Sequence, residues 1–91
     1  MDIAALKAFV EVADHGSFSE AAEALYLTQP AVSKRVAHLE HELGARLFDR
    51  IGRRISLTST GTELLPRARR LINDAREIKR LVSDLSGEVR G

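Results

Sequence analysis

Gln29, Ser33 and Lys34 stand four and five residues apart, with Pro30 and Ala37 on either side of the trio's end. On a helix this spacing gathers an amide, a hydroxyl and an ammonium on one side. An amide can pair with the adenine edge, a hydroxyl serves several bases, and a lysine can reach guanine or a phosphate. Further on, Arg50, Arg53 and Arg54 cluster around Gly52. Guanidinium groups so grouped suit the negative potential of a minor groove. Both groups describe recognition of duplex DNA. The same polar face also fits an ordinary helical bundle turned to solvent.

These side chains need elements to hold them. Ile3, Leu6, Phe9, Val10 and Ala13 recur at helical spacing and predict an amphipathic helix over residues 2–14. Gly16 closes it, and Ser17-Phe18-Ser19-Glu20 predicts a capping box with Glu20 reaching back. A short second helix turns Phe18, Ala21, Ala22 and Leu25 inward, and Leu25 and Leu27 plug the turn that follows. Thr28 caps a third helix with Pro30 in its first turn. Val32, Val36, Leu39 and Leu43 form its expected buried stripe, and Gly44 ends it. Its opposite side carries Pro30, Ser33, Lys34, Ala37 and His41, with Gln29 at the exposed end.

Residues 46–57 read as a short β-hairpin with Gly52 at its tip. From about Thr58 a helical pattern runs to Ser86. Leu64, Ala68, Leu71, Ala75, Ile78, Val82 and Leu85 alternate four- and three-residue steps, a coiled-coil-like seam suited to dimerisation. Its first turns, with Leu64 and Leu65, can also fold back on the three helices. Pro66 removes one hydrogen bond inside this helix and is expected to bend it. The expected fold is mainly α: a winged helix-turn-helix of three helices plus a β-hairpin wing, followed by a long dimerisation (linker) helix. The domain boundaries are 1–58 for the winged unit (helix-turn-helix 18–37, wing 46–57), 59–86 for the linker helix and 87–91 for a hinge.

Composition narrows the function. The chain of 91 residues has no Cys, which excludes a disulfide framework, a thiolate zinc site and a cysteine nucleophile. The net charge of +1 hides an asymmetry: residues 1–45 carry −4, and residues 46–91 carry +5. Seven arginines fall between Arg46 and Arg70, against only Asp49 and Glu63, which points to a side that faces a polyanion, a solvated basic face being the alternative. His38 and His41 have the spacing of a metal clip but no further ligands nearby, and they read as surface histidines. No phosphate loop or nucleophile–base pair is visible, so an enzyme is not expected. No stretch is apolar enough to span a membrane and no signal peptide is visible, which makes a cytoplasmic protein the expectation.

The motifs Gly16-Ser17-Phe18, Ala21-Ala22 and Leu27-Thr28-Gln29-Pro30-Ala31-Val32-Ser33 come in a fixed order with Phe9 before them. Leu39-Glu40, Glu42-Leu43-Gly44, Leu47-Phe48-Asp49-Arg50, Leu57-Thr58 and Gly61 continue it without a gap. In these residues the chain resembles the N-terminal DNA-binding domain and linker helix of the LysR-type transcriptional regulators. The resemblance implies that Thr28, Gln29, Pro30, Ala31, Ser33 and Lys34 lie at the DNA, with Gln29 and Ser33 among the base readers. It implies that Arg50 and Thr58 hold phosphates and that Arg53, beside Arg54, enters the minor groove.

The implied partners are double-stranded promoter DNA with inverted repeats, a second copy of the chain paired antiparallel, a tetramer in the full-length protein, and RNA polymerase. No cofactor is expected in this stretch. The resemblance places a small-molecule effector in a C-terminal domain beyond the hinge, so the chain reads as a piece of a longer regulator. Two other readings remain open: a winged-helix regulator of the molybdate-responsive type, and a protein-interaction module without DNA binding.

Overall fold

Asp2 starts the first helix: its carboxylate accepts the Ala5 N–H at 2.7 Å, so α1 runs Ile3–His15. This computed structural model describes residues 1–52 and 54–86; Arg53 and the expected hinge at 87–91 lie outside the described residues. Gly16 takes the left-handed conformation (φ 66°) that stops α1, a conformation costly for a residue with a Cβ. Ser17 then caps α2 (Phe18–Leu25) by accepting the Glu20 N–H at 3.1 Å. The reciprocal half of the expected capping box is replaced by another contact. The Glu20 carboxylate lies 3.7 Å from His15, which also meets Glu11 at 3.1 Å, a histidine at the negative end of α1.

Tyr26 turns the chain between α2 and α3 with φ 58°, although it is no glycine, and its side chain is 95% exposed. Thr28 accepts the Ala31 N–H at 3.2 Å and begins α3 (Gln29–Leu43). The wing follows as β1 (Phe48–Ile51) and β2 (Arg54–Leu57), antiparallel, with Phe48 opposite Leu57 and Ile51 opposite Arg54. Gly52 lies at its tip with φ 63°. The last helix, α4 (Ser59–Ser86), continues through Pro66, which has no N–H to offer the Thr62 carbonyl.

Phe9, Leu6, Leu39, Leu47, Val12 and Val32 are fully buried where α1, α3 and the start of the wing meet. Each such side chain contributes roughly 1.5–3 kcal/mol by leaving water. Phe48 brings β1 into this core, its ring 5.4 Å from Phe9 and 5.8 Å from Phe18. Leu43 does not complete the stripe on α3: it is 41% exposed. The Met1 ammonium reaches Glu42, so α1 begins beside the last turn of α3, and its described residues leave Leu43 partly open.

The long helix divides differently from the expected seam. Ala68 is fully buried and Ile72 nearly so in the chain's own core, with Leu64 and Leu65 packed against it. Ala68 and Leu64 therefore pack against the chain's own core, Ala68 fully and Leu64 in part. A heptad pattern cannot distinguish a helix's own core from a partner, and α4 uses its first turns for the former. Arg69 fixes this docking with a bidentate bridge to Asp14 on α1, at 2.6 and 3.1 Å. The Asp14 hydrogen bond raises the pKa of that guanidinium above its ordinary value.

Candidate nucleic-acid interface

The outer face of α3 begins at a capped N-terminus, where Thr28 leaves the backbone donors ordered. Gln29, Pro30, Lys34, Ala37 and His41 are exposed, while Ser33 and Ala31 are half-buried. The Gln29 amide donates to the Ser33 hydroxyl at 3.4 Å, so the two expected base readers stand together one turn apart. Small neighbours keep this face low, which suits entry into a groove.

The wing closes on the same face from one side. Ser33, Ala37 and Glu40 share a recess with Arg46, Phe48 and Arg50. A second recess brings Gln29 and Ser17 to Arg50, Gly52 and Arg54. Arg50 is held in place by packing, its guanidinium carbon 4.6 Å from the centre of the Phe18 ring, which itself contacts Phe48. Neither Arg50 nor Arg54 meets a carboxylate among the described residues. Arg46 is used internally instead: it donates to the Phe48 carbonyl at 3.2 Å and lies 4.0 Å from Glu40. Expected as a set of three wing arginines, the cluster is described at Arg50 and Arg54, Arg53 being outside the described residues.

Thr58 has structural work at the base of the wing. Its hydroxyl donates to the Arg46 carbonyl at 2.7 Å and accepts the Gly61 N–H at 3.0 Å, capping α4. Its only hydroxyl proton is thereby committed, and its backbone N–H goes to the Leu47 carbonyl at 3.0 Å.

Glu40 and Gly61 matter more than their residue types suggested. One Glu40 oxygen accepts the N–H groups of Leu47 and Phe48, at 2.7 and 3.4 Å, tying α3 to the start of the wing. At Gly61 a Cβ would fall 2.3 Å from the Leu47 carbonyl oxygen, so α4 comes this close to the residue before β1 only without a side chain. Both positions belong to the motif pattern, but nothing local assigns them a partner at that distance in sequence.

Among the described residues no group of three or more His, Cys, Asp or Glu is gathered to hold a metal ion, and no helix is long and apolar enough to cross a membrane. Beyond Ile72, α4 exposes Ile78, Leu81, Val82 and Leu85. Of the expected seam, Leu71 is 45% exposed and Ala75 half-buried.

The family described as bacterial regulatory helix-turn-helix protein, lysR family, matches residues 3–62. An uncharacterised HTH-type transcriptional regulator in the ibpB-leuC intergenic region of Azotobacter vinelandii is 55% identical over the whole of this chain, which spans 63% of that relative. Among solved structures, the BenM DNA-binding domain with benA site 1 DNA is 28% identical with a TM-score of 0.90, over 98% of this chain and 100% of that one. A full-length OxyR variant from Pseudomonas aeruginosa is 30% identical with a TM-score of 0.89, over 98% of this chain but 30% of that one. The chain thus spans less than two thirds of the length of these longer relatives.

Proposed function

Because this chain belongs to the LysR family of bacterial regulatory helix-turn-helix proteins, we propose that it binds duplex DNA sequence-specifically as the reading head of a transcriptional regulator. Residues 1–58 form the DNA-binding unit and residues 59–86 the linker helix through which two copies pair. The observation that carries this is the convergence of the Gln29–Ser33 pair with Arg50 and Arg54, guanidinium groups without a carboxylate partner among the described residues. In this reading α3 enters the major groove with Gln29, Pro30, Ser33 and Lys34 against the bases and Thr28 and Ala31 at its start. Arg50 holds a phosphate, and Arg53 with Arg54 follows the minor groove. Thr58 acts through the fold, fixing the wing that carries them.

The exposed stripe of α4 from Leu71 to Leu85 pairs two copies, so that two reading heads meet an inverted repeat. In the longer protein a following domain binds a small-molecule effector, the assembly reaches a tetramer that contacts RNA polymerase, and the whole works in the cytoplasm. A gel-shift titration with DNA flanking the protein's own coding region, against random duplex, tests the central claim. Clear preference for the flanking DNA is the expected result. Equal affinity for both would remove the sequence-reading role, and no binding to either would favour an interaction module.

A further inference from the structure

We infer that Arg35 and His38 form a second phosphate grip, on the flank of α3 opposite the wing, which holds the DNA strand that the wing does not reach. The inference rests on the DNA-binding reading above and adds two residues and a side of the helix to it.

A helix with its side chains is about 10–12 Å across, and the major groove is about 12 Å wide. A helix seated there therefore has a row of phosphates along each flank. One flank of α3 carries Ser33, Ala37 and Glu40 and faces the wing arginines. At 3.6 residues per turn, Arg35 lies about 200° round the helix from Ser33, on the other flank. There Arg35 and His38, with Lys34 at the edge of the outer face, line a cleft whose far wall is the start of α1.

The cleft lining carries two cations, Lys34 and Arg35, against one carboxylate, Asp2, with His38 beside them. Among the described residues, the side chains of Lys34, Arg35 and His38 make no ion pair or hydrogen bond. Arg67, Arg69 and Arg80, away from this face, each have a carboxylate. Asp2 lines the cleft and Glu42 lies four residues past His38 on α3, and each carboxylate has a partner other than these three side chains. Asp2 caps α1 through the Ala5 N–H, and Glu42 receives the Met1 ammonium, whose pKa this contact raises. Ala4, Ala5 and Ala31 line the rest and leave space between the helices. A phosphate oxygen brought to this edge meets a guanidinium and an imidazole, both able to donate.

The test is a salt series of fluorescence anisotropy titrations of the 91-residue chain against a labelled random-sequence duplex, which reads phosphate contacts without knowledge of an operator. Arg35→Gln, which removes the charge and keeps two of the three methylenes, should lower affinity several-fold and reduce the slope of log K against log salt by about one. His38→Lys, on an exposed helical position, should tighten binding and steepen the slope by a similar amount. Thermal melts of both variants should match the parent chain. A parent chain that binds while neither substitution moves the slope overturns the grip alone. A parent chain that binds no duplex at any salt overturns the DNA-binding reading and the grip with it.

Discussion

At the scale of single residues, the proposed site separates side chains assigned to base reading from side chains that hold the fold. Ser33 and Gln29 share a hydrogen bond and make no other side-chain hydrogen bond among the described residues, so their loss should cost the fold little. Ser33→Ala is expected to reduce the preference for operator over random duplex, by about 1–3 kcal/mol if its base contact is lost. Competition binding checks this, and an unchanged preference removes Ser33 from the readers. Gly61→Ala acts in the opposite manner. The new Cβ meets the Leu47 carbonyl oxygen and the Leu57 side chain, and the overpacking should cost about 1–3 kcal/mol in a urea melt. Tyr26 is the one described non-glycine residue with positive φ, so Tyr26→Gly should raise stability. The relief of about 1 kcal/mol is partly offset by the greater freedom of glycine in the unfolded chain.

At the scale of elements, the wing is positioned by α3 and α4 more than by its own two strands. A two-stranded hairpin is marginal by itself, so its docking decides where Arg50 and Arg54 stand. Glu40→Ala would leave the Leu47 and Phe48 N–H groups without their acceptor, at a cost of about 1–3 kcal/mol. Affinity for every duplex should fall with it, because the wing loses its register against α3. Melts and anisotropy on the same variant check the pair of effects, and a lost affinity with an unchanged melt would separate the wing from Glu40. The helix starts were legible in the sequence because capping is local: Ser17 and Thr28 each bond three residues ahead. So was the polar face of α3, which follows from helical periodicity. The bonds from Glu40 to Leu47 and from Thr58 to Arg46 were not, since they join elements across a loop whose path no local pattern fixes. Leu43 misled for a related reason, as a periodic stripe does not show where the neighbouring helix begins.

At the scale of the whole molecule, the 52 Å long dimension reflects a helix that leaves its own domain. With 28 residues, α4 is about 42 Å long, and its burial ends near Ile72. The helix therefore has two apolar faces in succession. Ala68 and Ile72 belong to the chain's own core, and Ile78, Leu81, Val82 and Leu85 are left to water. Substitutions on the two faces should report different equilibria. Ile78→Asp places a charge on a side chain that is already 62% exposed in the single chain, so the melt of the winged unit should stay within about 0.5 kcal/mol of the parent. If the outer stripe pairs two copies, the same substitution buries an unpaired carboxylate at the contact and drives the chain to a monomer in sedimentation equilibrium. Binding to an inverted repeat should then lose the gain from linking two half-sites, typically a factor of about 10²–10⁴, while binding to one half-site is unchanged. Ala68→Asp should instead unfold the winged unit, because that position has no exposure to give the charge. An Ile78→Asp chain that sediments as the parent does would place the dimer contact elsewhere and leave the stripe for another partner.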